Sequence, residues 1–148
     1  MILFCDTSAL VKLYLKEEFS HEVRALSDKA TAIAVSRISW AETMATFARR
    51  VRESPADAQA IETVRGQLRM DWSDFAIVEV TQSLVEMAGD YADTFALRGY
   101  DSVQLAAAQM LQKGANGAFC FACFDMRLEK AASVLGMPTL GFQRLSSR

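Results

Sequence analysis

Four acidic residues, Asp6, Glu42, Asp101 and Asp125, each stand at the start of a segment with helical spacing, in a chain of 148 residues that holds one histidine, His21. Carboxylates with so little imidazole beside them point to hard-metal chemistry through oxygen ligands. Each acid also has a local structural explanation. Asp6, Asp101 and Asp125 can cap the helices they precede. Ser39-Trp40-Ala41-Glu42 matches a capping box, in which Glu42 would bond back to the Ser39 backbone.

The elements that must position these acids can be read from periodicity. Ile2-Leu3-Phe4-Cys5 is a short continuous apolar run, as expected of a strand buried on both faces of a parallel sheet. Comparable runs are Ala32–Val35, Ala76–Val80, Ala118–Ala122 and a weaker Thr139–Phe142. Between them lie helical stripes: Ala41, Met44, Ala45 and Ala48; Leu84, Ala88, Tyr91, Ala92 and Phe95; Val103, Ala106, Ala107, Met110 and Leu111; and Leu128, Ala131, Ala132 and Leu135. Ser54-Pro55 fits an N-cap and first helical position, opening a helix through Leu68 that carries Arg65 and Arg69. Gly99 reads as a helix stop, with Asp101 restarting the next helix.

Strands alternating with helices predict a three-layer α/β/α sandwich around a mainly parallel sheet, as one domain over residues 1–148. In such a sheet the carboxyl ends of the strands form one edge, where ligands bind. Asp6 and Asp125 follow strands at that edge, and Glu42 lies about one helical turn (roughly 3.6 residues) beyond a third. Asp101 follows a helix, and spacing alone does not bring it there.

Composition narrows the function. A formal net charge of -2 argues against a protein that coats nucleic acid through many phosphate contacts, while leaving room for a small phosphodiester site. Three cysteines cannot all pair, and the N-terminal residues lack a basic signal-peptide start, so a reducing cytoplasm is expected. No apolar run approaches the roughly 20 residues that span a bilayer. Cys120 and Cys123 have no second cysteine pair beside them, and in an extended segment residues three apart face opposite sides, so both read as core sulfurs.

Four segments carry a family resemblance: Phe4-Cys5-Asp6-Thr7-Ser8-Ala9-Leu10-Val11-Lys12; Ser36-Arg37-Ile38-Ser39-Trp40-Ala41-Glu42; Leu97-Arg98-Gly99-Tyr100-Asp101-Ser102-Val103-Gln104-Leu105-Ala106; and Phe124-Asp125-Met126-Arg127-Leu128. In order and spacing the chain resembles the PIN-domain ribonucleases, and most of all the VapC toxins of type II toxin–antitoxin pairs. Cys123 departs from the pattern, since many relatives carry Thr or Ser there.

The resemblance implies that Asp101 joins Asp6, Glu42 and Asp125 in one acidic pocket. It implies Mg²⁺, with Mn²⁺ as an alternative, RNA as substrate, and products with a free 3′-hydroxyl and a 5′-phosphate. It also implies a homodimer and a cognate VapB-like antitoxin whose tail places an Arg or Lys among the carboxylates. On that basis Asp6 and Asp101 are the strongest ligands, Glu42 a ligand or water-orienting base, and Asp125 an outer ligand for a second ion. Thr7 and Ser8 are weaker candidates for phosphate contact at a helix N-terminus, or else capping hydroxyls. Arg37, Arg98 and Arg127 adjoin the acids and either hold RNA or pair with neighbouring carboxylates.

Arg49, Arg50 and Arg52 read as a solvated helix face, and Trp40 and Trp72 as core or interface packing. Cleavage by a pair of histidines is excluded by the lone His21. Two competing functions are a non-catalytic PIN-fold module that binds protein or RNA, and phosphotransfer at Asp6. The latter is weakened by Ser8 standing where a second aspartate would be wanted.

Overall fold

The computed structural model describes residues 1–141. Four strands form its sheet: β1 (Ile2–Cys5), β2 (Ala32–Ser36), β3 (Ala76–Val78) and β4 (Phe119–Ala122). They lie in the order β3-β2-β1-β4, and every pairing is parallel. The register sets Phe4 beside Ala34 on one side and Phe121 on the other. The apolar runs are strands because side chains on both faces are covered, which removes the polar alternation of a half-exposed sheet.

Successive residues of a strand point to opposite faces, and the two cores follow that alternation. Phe4, Ala34 and Phe121 pack on one side, against α5 (Gln82–Phe95), α6 (Gly99–Gly114) and α7 (Met126–Val134). Leu3, Cys5, Val35, Cys120 and Ala122 pack on the other, against α1 (Thr7–Tyr14) and the region of α2 (Ser20–Lys29). A third cluster joins α1 to the hairpin of α3 (Ser39–Glu53) and α4 (Ala58–Asp71) through Val11, Phe47, Ile61 and Leu68. Fully burying side chains such as Phe4, Leu105 or Leu128 stabilises the fold by about 1.5–3 kcal/mol each.

The three layers are those expected, and Cys120 and Cys123 fall in opposite cores as buried sulfurs. Differences from the expected elements are local. Ala76–Val80 is a strand only to Val78, and Val80 is exposed. Thr139 makes a single parallel bridge to Phe121, while Phe142 lies outside the described residues. Pro55 opens a short 3₁₀ turn ahead of α4, and Ser54 makes no side-chain cap.

Gly99 is the first residue of α6 and not a stop. The preceding helix ends on Ala96, whose φ of 54° is the left-handed conformation glycine usually supplies at this point. The buried residues of α3 are Ser39, Thr43 and Phe47, whereas Ala41 and Ala45 are exposed. The larger Phe47 side chain decides which face turns inward.

Candidate functional site

β1 runs directly into α1, and Asp6 caps that helix. Its Oδ1 accepts the Ala9 N–H at 2.9 Å and the Ser8 hydroxyl at 2.7 Å. The Asp6 N–H continues the sheet ladder to Ala122 O at 3.0 Å, which fixes the residue at the carboxyl edge. Both side-chain bonds fall on Oδ1, leaving Oδ2 for a ligand. Asp125 lies three residues beyond the end of β4 and caps α7 through Leu128 N–H at 2.9 Å.

Glu42 behaves differently from its capping-box expectation. Its Oε1 accepts the Thr7 hydroxyl at 2.9 Å and the Gln104 amide at 2.8 Å, so it binds across to α1 and α6 and not back to Ser39. The Ser39 hydroxyl accepts from the same Gln104 amide at 2.9 Å. Asp101 is not an N-cap either. Arg98 occupies that position, and Asp101 lies in the first turn of α6 with its Oδ2 3.3 Å from Arg98 Nε.

The fold gathers all four acids around one open cleft of about 390 Å³, lined also by Thr7, Ser8, Lys12, Glu17, Arg98, Gln104 and Phe124. Asp101 enters because α6 carries Gln104, three residues further on, to Thr7 and Glu42, which sets the start of the helix at the same cleft. Asp6 is 5 % exposed. Its carboxyl is pushed up to about 7 by burial, against the lowering effect of its bonds to Ser8 and Ala9, with further upward pressure from Asp101 and Glu42. Burial first, and the neighbouring acids second, make the ionised carboxylate unfavourable here, and a bound cation would offset both.

The donor set fits a hard divalent ion: carboxylate oxygens and hydroxyls, without a thiolate or imidazole reaching the cleft. Among the described residues no three Asp, Glu, Cys or His side chains converge into a ready-made metal cluster. The cysteines offer no alternative. Burial pushes Cys120 up to about 11 and raises Cys5 and Cys123 still further, so none is a thiolate near neutrality.

Of the three arginines, Arg98 lines the cleft, with 84 % of its side chain exposed. Arg127 borders an adjoining cleft of about 370 Å³ that shares Arg98, Asp101 and Asp125, and its Nη1 donates to Ala96 O at 3.1 Å. Arg37 is bound elsewhere, in an exposed ion pair with Glu79. Trp40 and Trp72 pack edge to face at 5.1 Å, partly buried against the third core. His21 is exposed.

Lys12 and Gln104 are among the cleft residues that sequence reasoning passed over. Lys12 Nζ lies 4.7 Å over the Phe124 ring and 3.4 Å from Glu17 Oε1. Gln104 carried a signal: it is an amide within the otherwise apolar run from Val103 to Ala108 on α6.

A family model described as the PIN domain matches residues 3–133. Ribonuclease VapC45 and Ribonuclease VapC49, from two strains of Mycobacterium tuberculosis, are each 34% identical over 139 residues, covering 91% of this chain and 92% of the relative. Among solved structures, M. tuberculosis VapC20, described as a sarcin–ricin loop cleaving toxin, superposes with a TM-score of 0.62 at 20% identity over 87% of this chain and 94% of that one. VapBC2 from Rickettsia felis, bound to a promoter DNA fragment, gives a TM-score of 0.65 at 15% identity over 95% and 99% of the two chains. These structures carry the fold.

The chain belongs to the PIN-domain family, alongside its VapC ribonucleases. Ribonucleases of this family generally use a divalent metal ion.

Proposed function

We propose that the protein is a Mg²⁺- or Mn²⁺-dependent endoribonuclease toxin, held in check by a cognate VapB-like antitoxin. The observation that carries the reading is geometric: Asp6, Glu42, Asp101 and Asp125 line one cleft at the carboxyl edge of the sheet, with Asp6 buried at its base. The kinship with VapC ribonucleases supplies RNA as the substrate class.

Asp6 and Asp101 are the principal ligands in this reading, Glu42 a further ligand or the group that orients the attacking water, and Asp125 an outer ligand. A bound divalent ion supplies a more acidic water and neutralises charge on the phosphate. The chain's own contribution is placement. Ser8 and Ala9 hold Asp6 Oδ1, so Oδ2 is presented in one direction. Thr7 and Gln104 hold Glu42 Oε1. Lys12 and Arg98 are the cations lining the cleft, and they offset repulsion between the carboxylates and an incoming RNA backbone.

Thr7 and Ser8 serve the carboxylates more than phosphate in this arrangement, since both hydroxyl hydrogens are directed to the acids. The residues act as a single domain and as a homodimer in the cytoplasm. The antitoxin's tail brings an Arg or Lys to the same carboxylates. No helix among the described residues is long and apolar enough to cross a membrane.

The test is cleavage of a panel of transfer and ribosomal RNAs by wild type and Asp101→Asn, with Mg²⁺, Mn²⁺ or EDTA. Discrete cuts by wild type alone, abolished by EDTA, are expected. Cutting that survives either the substitution or the chelator would overturn the reading, and a wild type that never cuts would turn it toward a binding module.

A further inference from the structure

Gln104 is 2 % exposed, near the start of α6, where its amide reaches Thr7 of α1 and Ser39 and Glu42 of α3. Its Nε2 lies 2.8 Å from Glu42 Oε1, 2.9 Å from Ser39 Oγ and 3.3 Å from Thr7 Oγ1. The orientation of the amide follows from chemistry. An ionised Glu42 is an acceptor only, so the NH₂ and not the carbonyl must face it. The two amide hydrogens serve the two shorter contacts, and Thr7 gives its own hydrogen to Glu42 Oε1 at 2.9 Å.

The other end of the same amide carries the informative detail. Gln104 Oε1 is buried and has no hydrogen-bond partner among the described residues. A buried acceptor without a partner is unfavourable, and Met or Leu would fill the same space without it. Packing therefore does not explain a glutamine here, but its donor end does. Two hydrogen bonds converge on Glu42 Oε1, from Gln104 and Thr7, and leave Oε2 as the oxygen that serves the cleft.

Resting on the metal-dependent reading above, we infer that Gln104 is a positioning residue: it clamps Glu42 Oε1 so that the carboxylate meets a divalent cation in one fixed orientation. It acts through Glu42 and touches neither cation nor RNA. Thr7 is the second jaw of the clamp, and Ser39 holds the amide in place.

The test measures Mn²⁺ binding by calorimetry for wild type and Gln104→Met, which keeps an unbranched chain of similar length but has no donor. Gln104→Asn, one methylene shorter, carries the same test if the first variant does not fold. Mn²⁺ affinity and kcat are expected to fall by about 10–100-fold, as for other partners that orient metal ligands. Excess Mn²⁺ should restore cleavage, and RNA binding measured in EDTA should not change. A folded variant with unaltered Mn²⁺ affinity would overturn the inference, as would an equal loss of RNA binding in EDTA. Wild type that binds Mn²⁺ and loses affinity in the variants, yet cuts no RNA, sinks the nuclease reading and leaves this one standing. Wild type that cuts RNA while the variants bind Mn²⁺ normally does the reverse, and wild type that neither binds nor cuts overturns both.

Discussion

The backbone N–H of Phe124 donates to the Ser8 hydroxyl at 3.1 Å, a bond between positions 116 apart, while that hydroxyl donates to Asp6 Oδ1 at 2.7 Å. One serine thus ties the first turn of α1 to the loop after β4, next to Asp125, while holding the first acid.

Ser8→Ala should therefore damage more than a cap. The Phe124 N–H and Asp6 Oδ1 each lose a partner, at a cost of about 1–3 kcal/mol in stability. Cleavage should fall by about 10-fold or more, because the acid at the sheet edge loses its fixed rotamer. Thermal melts and single-turnover assays on the same preparation check both. A melt unchanged from wild type would mean that water replaces the hydroxyl.

Asp101→Asn keeps the shape of the side chain and removes its charge. Activity should be lost, and the Asp6 carboxyl of the metal-free protein should titrate lower than in wild type, since Asp101 is one of the charges pushing it up. A carbon-detected titration of Asp6 reads this without any substrate. An Asp6 titration that does not move would mean burial alone raises it.

The metal-free protein should carry a pH signature from Asp6. Its carboxyl ionises at 3.8 when the chain is unfolded and solvated, and at about 7 in the fold. Between those values the folded chain holds the extra proton, so stability from this group falls as pH rises through the interval. The full cost, on the order of 4 kcal/mol, is reached above pH 7. Asp6→Asn should accordingly raise the Tm of metal-free protein at pH 8 and leave it near wild type at pH 3. Adding Mn²⁺ should raise the Tm of wild type and not of the variant.

Lys12→Met separates substrate contact from metal binding. The lysine side chain is 13 % exposed and lines the cleft beside Glu17. Its loss should raise KM for RNA more than it lowers kcat. The slope of log affinity against log salt should also shrink by about 0.7 for a lost contact to a single strand. An unaltered slope would place Lys12 in a purely internal ion pair.

The parts of this protein legible from the chain are those set by neighbours in sequence. Ile2–Cys5 and Phe119–Ala122 read as central strands because burial on both faces removes alternation, and Asp6 and Asp125 follow such strands as helix caps. Net charge argued against a general nucleic-acid coat, and no apolar run was long enough for a membrane-crossing helix. Four ordered segments pointed to the family.

Other features depend on contacts between distant positions. Glu42 read as a capping-box acid from Ser39, three residues before it, yet its carboxylate bonds Thr7, 35 positions away, and Gln104, 62 positions away. Gly99 read as a stop, yet the αL residue is Ala96, a conformation sustained by the turn joining α5 to α6. Asp101 reached the cleft through the tertiary placement of α6, whose Gln104 bonds Thr7 and Glu42. Capping and strand propensities act over a few residues and leave their mark in local sequence. The convergence of carboxylates, the raised Asp6 and the Gln104 clamp arise where helices from different parts of the chain meet, and burial there sets both charge and direction.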